Sequence, residues 1–213
     1  MIQSIRRTYA VTGASKSYGA GIVAELRNAR HTVYDIQRHA KAFLSETFSP
    51  VIETDHWVAC DFLEGKPIVQ VANWMVSNEV KLDGIVHAAA HHDPQDPLLI
   101  SVHEMREAFQ VNLIGPLILT MYLYQAYRFN KGARCIFLLD QRTSKLPEEE
   151  IAYCTAKAAT LPTVEAYKRI MPDLEILYVA MPDKKNADSD TAEAEAVRIL
   201  TDSESPKKNL IIL

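Results

Sequence analysis

Short apolar runs alternate along this chain with longer stretches of helical period. RTYAVTG leads into AGIVAELRNA, HTVYDIQ into a helix-like stretch, HWVACDF into IVQVANWMVSNEV, and DGIVHAAA into a long helix over about 103–129. A strand at ARCIFLLD, a helix over about 151–170, a strand at LEILYVAMP and a last helix before NLIIL complete the series. Such alternation predicts βαβ units, hence a parallel sheet with helices on both faces. No internal repeat is evident. One compositional break, DKKNADSDTAEAEA at residues 183–196, reads as a mobile loop running into a helix. The pattern therefore predicts a single doubly wound α/β domain over residues 1–213.

Composition narrows the function. The 213 residues are enough to bury roughly 70% of the unfolded surface, and 48% hydrophobic with 23% charged residues is ordinary globular usage. Net charge is −4 without a long basic block, which argues against a nucleic-acid partner. The N-terminal apolar run is too short for a signal segment or a membrane span, so a cytoplasmic protein is expected. Cys60, Cys135 and Cys154 are odd in number and far apart, and read as free buried thiols.

Candidate chemistry falls at the strand ends. Strand one delivers the chain into TGASKSYGAGIVAEL, with Gly13 at the strand end and Gly19 at a helix mouth, where backbone N–H groups and the helix dipole favour a pyrophosphate. This stretch resembles the TGxxxGxG fingerprint of short-chain dehydrogenases/reductases. Thr12, Gly13 and Gly19 match, and Ser17 stands where the middle glycine belongs. A serine there crowds the phosphates if the position needs a conformation that only glycine adopts cheaply, and otherwise offers a phosphate a hydrogen bond. The resemblance implies a Rossmann fold and a nicotinamide dinucleotide on Gly13, Ser15, Lys16, Ser17 and Gly19. After strand two, Asp35 would select NAD through the ribose 2′-hydroxyl, whereas Gln37 and Arg38 suit the 2′-phosphate of NADP. Gln37 falls at the strand end and Lys16 adds a second cation, so NADP(H) is favoured over NAD(H). Asp35 is then a solvated strand residue. Asp61 stands where the family contacts adenine, and His87-Ala88-Ala89-Ala90 replaces its NNAG motif while keeping Ala88 and Ala89 small beside the cofactor.

YCTAK places Tyr153 and Lys157 at i and i+4 on one helical face, where the ammonium is expected to lower the phenol pKa. The resemblance makes this the catalytic pair, with Lys157 also on the ribose. EAFQVNLIGPLILT resembles the family's VNLxG segment and assigns Asn112 to its proton relay. Asp140 occupies the place of the usual serine. With LLDQR around it and AYCTAKAAT beyond, it resembles the pteridine reductase branch, which includes enzymes that reduce dihydrofolate or dihydromonapterin. The implied reaction is hydride transfer from NADPH to a C=N or C=O carbon, with a pterin favoured over another small carbonyl substrate. The resemblance thins after residue 182. The substrate-covering loop is short, and the terminal strand with its glycine pair is missing where the chain stops at NLIIL. Pro162 should bend the catalytic helix at a cost of about 3 kcal/mol unless the bend is accommodated.

His87, His91, His92, Asp93 and Asp96 lack the spacing of a metal site and are expected to line the substrate cleft instead, where His91 or His92 would meet a flat heterocycle. Excess apolar residues on the helices at about 103–129 and 151–170 predict a homodimer or homotetramer. The competing expectation is a non-catalytic dinucleotide-binding protein, suggested by Ser17, the lost NNAG letters, Pro162 and the clipped C-terminus.

Overall fold

The computed structural model describes residues 6–38, 56–182, 189–202, 204, 206 and 210–213. The helix-like stretch expected after Arg38 and the polar loop at 183–188 lie outside the described residues. Seven parallel strands are β1 (Thr8–Thr12), β2 (Thr32–Gln37), β3 (Trp57–Ala59), β4 (Leu82–His87), β5 (Phe129–Asp140), β6 (Glu175–Met181) and β7 (Leu210–Ile212). Their order is β3-β2-β1-β4-β5-β6-β7. The strand order reverses between β1 and β4, which opens a crevice at the carboxyl ends of those two strands.

Helices α1 (Ser17–Asn28), α2 (Gly65–Ser77), α3 (Val102–Phe109), α4 (Gly115–Gln125), α5 (Ile151–Ile170) and α6 (Ser189–Thr201) connect the strands. Because successive strand residues point to opposite faces, the central strands feed two cores. Tyr9, Val11, Ile136, Leu138, Leu177 and Val179 pack under α1 and α6. Ala10, Ile85, Cys135, Phe137, Ile176 and Tyr178 pack under α2, α4 and α5 on the other face. Cys60, Cys135 and Cys154 are free and buried, as expected. Arg134, 4% exposed, anchors α6. Its guanidinium donates to the Ile199, Asp202 and Glu204 carbonyls at the helix C-terminus and pairs with Glu175 at 2.6 Å.

Two expectations need correction. The long helix over 103–129 is interrupted by a π-turn at Gln110–Ile114 and ends at Gln125. Pro116 has no N–H to give the Asn112 carbonyl one turn back, so the helix widens there. Beyond Gln125, Tyr127 takes φ 54°, while the Tyr127 and Arg128 amides close on the Tyr124 and Leu123 carbonyls. That Schellman cap turns the chain into β5 without the glycine that usually announces one. Arg30 and Glu79 cap α1 and α2 in the same way. The second correction concerns the terminal strand, which is present. Leu210–Ile212 pairs with Tyr178–Ala180 of β6, and Gln141 Nε2 donates to the Leu213 carbonyl at 2.5 Å. Helix α5 matches its expected limits and runs on through Pro162.

Candidate active site

The turn after β1 is held by contacts that exclude larger residues. Gly13 has φ 68°, its amide donates to the Ile36 carbonyl at 2.9 Å, and a Cβ on it would lie 2.5 Å from the Ala89 Cα. A Cβ on Gly19 would strike the Gly13 carbonyl oxygen. Thr12 ties the exit of β4 to this turn: its carbonyl accepts from Ala88 at 3.2 Å and its hydroxyl from Ala89 at 3.3 Å. Ser15, Lys16 and Ser17 are exposed at the carboxyl edge of the sheet. Lys16, the N-cap of α1, makes no side-chain cap hydrogen bond. Ser17 sits at φ 57°, the left-handed conformation in which a glycine carries no penalty.

At the end of β2, Asp35 is not solvated. It is 7% exposed and pairs with Arg27 at 3.1 Å. Gln37 closes β2 and Arg38 follows it, exposed. Asp61 accepts from the Leu63 amide at 3.0 Å in the turn after β3.

Across the switch point, β5 and α5 bring the second group together. Tyr153, 7% exposed, donates its hydroxyl proton to Asp140 Oδ2 at 3.3 Å. Lys157 lies one turn further along α5, 5% exposed, with Nζ on the Leu138 carbonyl at 3.1 Å. Asn112, inside the π-turn, clamps the main chain of His91 from both sides. Its Oδ1 accepts from the His91 amide at 3.0 Å and its Nδ2 donates to the His91 carbonyl at 2.9 Å. The wide turn thereby fixes the segment that follows β4. Tyr153 and Asp140 thus meet, Lys157 lies a turn further along α5 within the charge field of Asp140, and Asn112 fixes the segment after β4.

The electrostatics of this group follow from burial and from Arg142. Burial pushes the Tyr153 phenol well above its ordinary range, and the Asp140 carboxylate raises it further against the opposing effect of Arg142. The lowering expected from Lys157 is not what governs this phenol in the free protein, because its nearest charge is a carboxylate. For Asp140 itself, burial acts to raise the pKa, but hydrogen bonds and charge from Arg142 outweigh it, so the carboxyl is held below its ordinary value. Burial lowers Lys157 to about 8, while Asp140 works in the opposite direction.

Sequence reasoning placed Asp140 and Tyr153 but missed how they are held. Arg142 grips Asp140 at 2.9 Å through Nε and 2.5 Å through Nη2, then reaches Glu150 Oε1 at 3.0 Å. His92 Nε2 meets the same Glu150 oxygen at 2.8 Å and sets its ring edge-on to Tyr153, centroids 5.0 Å apart. Glu150 stands one helical turn before Tyr153 at the mouth of α5, and that spacing is the signal available for it in the sequence. His87 is structural: Nε2 meets Thr120 Oγ1 at 2.7 Å, the ring packs on Phe137, and burial followed by the charge of Lys157 lowers it to about 3. Among the described residues no cluster of His, Cys, Asp and Glu is arranged to hold a metal, and no helix is long and apolar enough to cross a membrane.

Comparison with known proteins places the fold and the family. No curated protein matches the chain. Among solved structures, an oxidoreductase of the short-chain dehydrogenase/reductase family from Brucella ovis, in complex with a partially ordered NAD, superposes with TM-score 0.76 at 20% identity, covering 98% of this chain and 99% of that one. A short chain dehydrogenase from Mycobacterium smegmatis gives TM-score 0.80 at 14% identity over 97% and 91% of the two chains. A family protein from Francisella tularensis gives 0.76 at 18% over 98% and 97%. The profile of the short chain dehydrogenase family matches residues 7–176, and the chain belongs to that family of oxidoreductases.

Proposed function

We propose that this chain is an NADPH-dependent reductase of a small carbonyl or imine compound, with a pterin or dihydrofolate as the favoured substrate class. The observation that carries this reading is the buried Tyr153 hydroxyl on Asp140, with Lys157 one turn away. Gly13, Ser15, Lys16, Ser17 and Gly19 would hold the pyrophosphate, Asp61 the adenine, and Ala88 and Ala89 would allow close approach beside it. The cradle fits, since Gly13 and Gly19 stand where a Cβ would collide with backbone. The NAD of the Brucella ovis relative supports a dinucleotide here. NADP is preferred because the Asp35 carboxylate is committed to Arg27, whereas Gln37 and Arg38 stand at the strand end. NAD(H) is the lesser alternative.

When bound, the reduced nicotinamide supplies a hydride. Tyr153 gives its proton to the substrate heteroatom, and Lys157 would steady the resulting phenolate and hold the ribose. With a pKa of about 8, Lys157 keeps its charge at neutral pH. Asp140 remains a carboxylate under Arg142, so it orients the Tyr153 hydroxyl and accepts from a substrate N–H, the work a pterin ring needs. Asn112 acts by fixing the cleft wall at His91. The protein would work in the cytoplasm as a homodimer or homotetramer.

A second reading, a dinucleotide-binding protein without turnover, draws on the left-handed Ser17 and on the tight Asp140–Arg142 pair. NADPH oxidation by the purified protein, with dihydrobiopterin, dihydrofolate and a diketone offered in parallel and NADH as control, decides between them. Turnover of the pterins is expected. NADPH binding with no turnover of any substrate replaces the first reading with the second.

A further inference from the structure

We infer that Glu150 is a positioning residue for the Tyr153–Asp140 pair: it locks the Arg142 guanidinium onto Asp140 and ties that lock, through His92, to the segment after β4. This deepens the reductase proposal and rests on it for the chemistry of Tyr153. Asp140 caps the short helical turn that follows β5, its Oδ1 accepting from the Arg142 amide at 2.9 Å. Its Oδ2 takes three donors: Arg142 Nε at 2.9 Å, Arg142 Nη2 at 2.5 Å and the Tyr153 hydroxyl at 3.3 Å. The aim of that oxygen at Tyr153 therefore depends on where the guanidinium sits. The Arg142 side chain is 29% exposed, and a part-exposed ion pair holds weakly unless its geometry is fixed. Glu150 fixes it. Its Oε1 accepts from Arg142 Nη1 at 3.0 Å, so the planar fork is gripped at both ends and cannot turn away from Asp140 without breaking the second bond.

The same oxygen meets His92 Nε2 at 2.8 Å, and His92 follows the residue whose main chain Asn112 clamps from both sides. Glu150 thus joins three separate elements: the segment after β4, the turn after β5 and the mouth of α5. Both partners of Oε1 stand against the Tyr153 ring, His92 edge-on and Arg142 at 5.9 Å from its centroid. This arrangement costs stability, because Glu150 is 8% exposed and its Oε2 has no hydrogen-bond partner among the described residues. Buried charge kept at such a cost belongs where one geometry has to be held. Among the described residues, the titratable and charged groups around Asp140 are Arg142 from the turn and Tyr153, Cys154 and Lys157 from α5, and those around Glu150 are Arg142, His92 and Cys154. Of these, Arg142 does most to hold Asp140 ionised against its burial.

Two conservative variants separate reach from charge. Glu150→Asp keeps the charge but is one methylene too short to hold Arg142 and His92 where they stand, whereas Glu150→Gln loses the charge and keeps an oxygen of the same reach. The Asp140 carboxyl is followed by NMR in protein carrying isotope-labelled aspartate, its resonance assigned by its loss in Asp140→Asn. Its titration midpoint should rise toward the ordinary carboxylate range in Glu150→Asp and should not rise in Glu150→Gln. Charge acting without position predicts no change in the first and a fall in the second. Arg142→Lys, which offers one nitrogen where the fork offers three, should raise the midpoint as well and decides the matter if Glu150→Asp does not fold. With dihydrobiopterin and NADPH, Glu150→Asp should lower kcat about tenfold at unchanged KM for NADPH, and Glu150→Gln should keep kcat within about threefold. A midpoint that does not rise in Glu150→Asp, one that rises in Glu150→Gln, or an undiminished kcat in Glu150→Asp overturns the inference. Failure of the reductase reading is separately visible as absence of NADPH oxidation by every form while the order of the midpoints persists.

Discussion

The turn after β1 and the charge network after β5 both depart from the letters of their family, and they do so in different physical ways. At the turn, Ser17 stands where the fingerprint has a glycine and its backbone takes φ 57°, which strains one residue. Past β5, Asp140 stands where the family's pattern has a serine, and Arg142, Glu150 and His92 form a connected set around it and Tyr153. A backbone position shaped by close packing offers no alternative path, because Gly13 and Gly19 sit against main-chain atoms that do not yield. A side-chain position is negotiable, provided that the new charge acquires partners.

The largest test of this contrast is Tyr153→Phe, which should keep NADPH binding and lower kcat by at least about 100-fold in steady-state assays. Undiminished turnover would remove Tyr153 from the chemistry. Gly13→Ala combines a positive φ with a backbone collision and should cost about 3 kcal/mol of unfolding free energy by denaturant titration, together with dinucleotide affinity.

His87, at the end of β4 between these two regions, offers a pH test. Its folded pKa of about 3 lies below its ordinary 6.5, so the unfolded chain binds the extra proton between those values. Stability is therefore complete above pH 6.5 and falls as pH drops toward 3. At pH 5 the loss should be about 2 kcal/mol, and His87→Asn should abolish that part of the acid slope. An unchanged slope would mean that His87 is already protonated in the fold.

The smallest effect is the most pointed. Ser17→Gly should stabilise the protein by about 1 kcal/mol and tighten NADPH binding if the hydroxyl crowds the phosphates. Glu79→Gly relieves the same conformation at a helix end far from the site and should stabilise by a similar amount of about 1 kcal/mol with no change in NADPH affinity. The difference between these two variants separates backbone strain from ligand contact.

Much of the fold was legible because period is a local property. The apolar runs at YAV, VYDI, IVH and EILYVAM are strands, and α5 begins and ends at Ile151 and Ile170 as its pattern predicts. Glycines and the tyrosine–lysine spacing marked the two ends of the crevice for the same reason. Helix ends were less legible: with seven glycines in the chain, Arg30, Glu79 and Tyr127 close their helices in conformations that those residues do not advertise. The terminal strand escaped notice because three residues become a strand only when β6 offers an edge.

By itself, then, the sequence determined the alternation of strands and helices, the glycine turn after β1 and the i, i+4 spacing of Tyr153 and Lys157, all of which depend on neighbours within a turn or two. Only the tertiary structure decided that Asp35 is spoken for by Arg27, that Asp140 is held as a carboxylate by Arg142, and that Glu150 and His92 stand against Tyr153. Charge state and partnership depend on burial and on groups brought together from separate elements, and no local pattern encodes those distances.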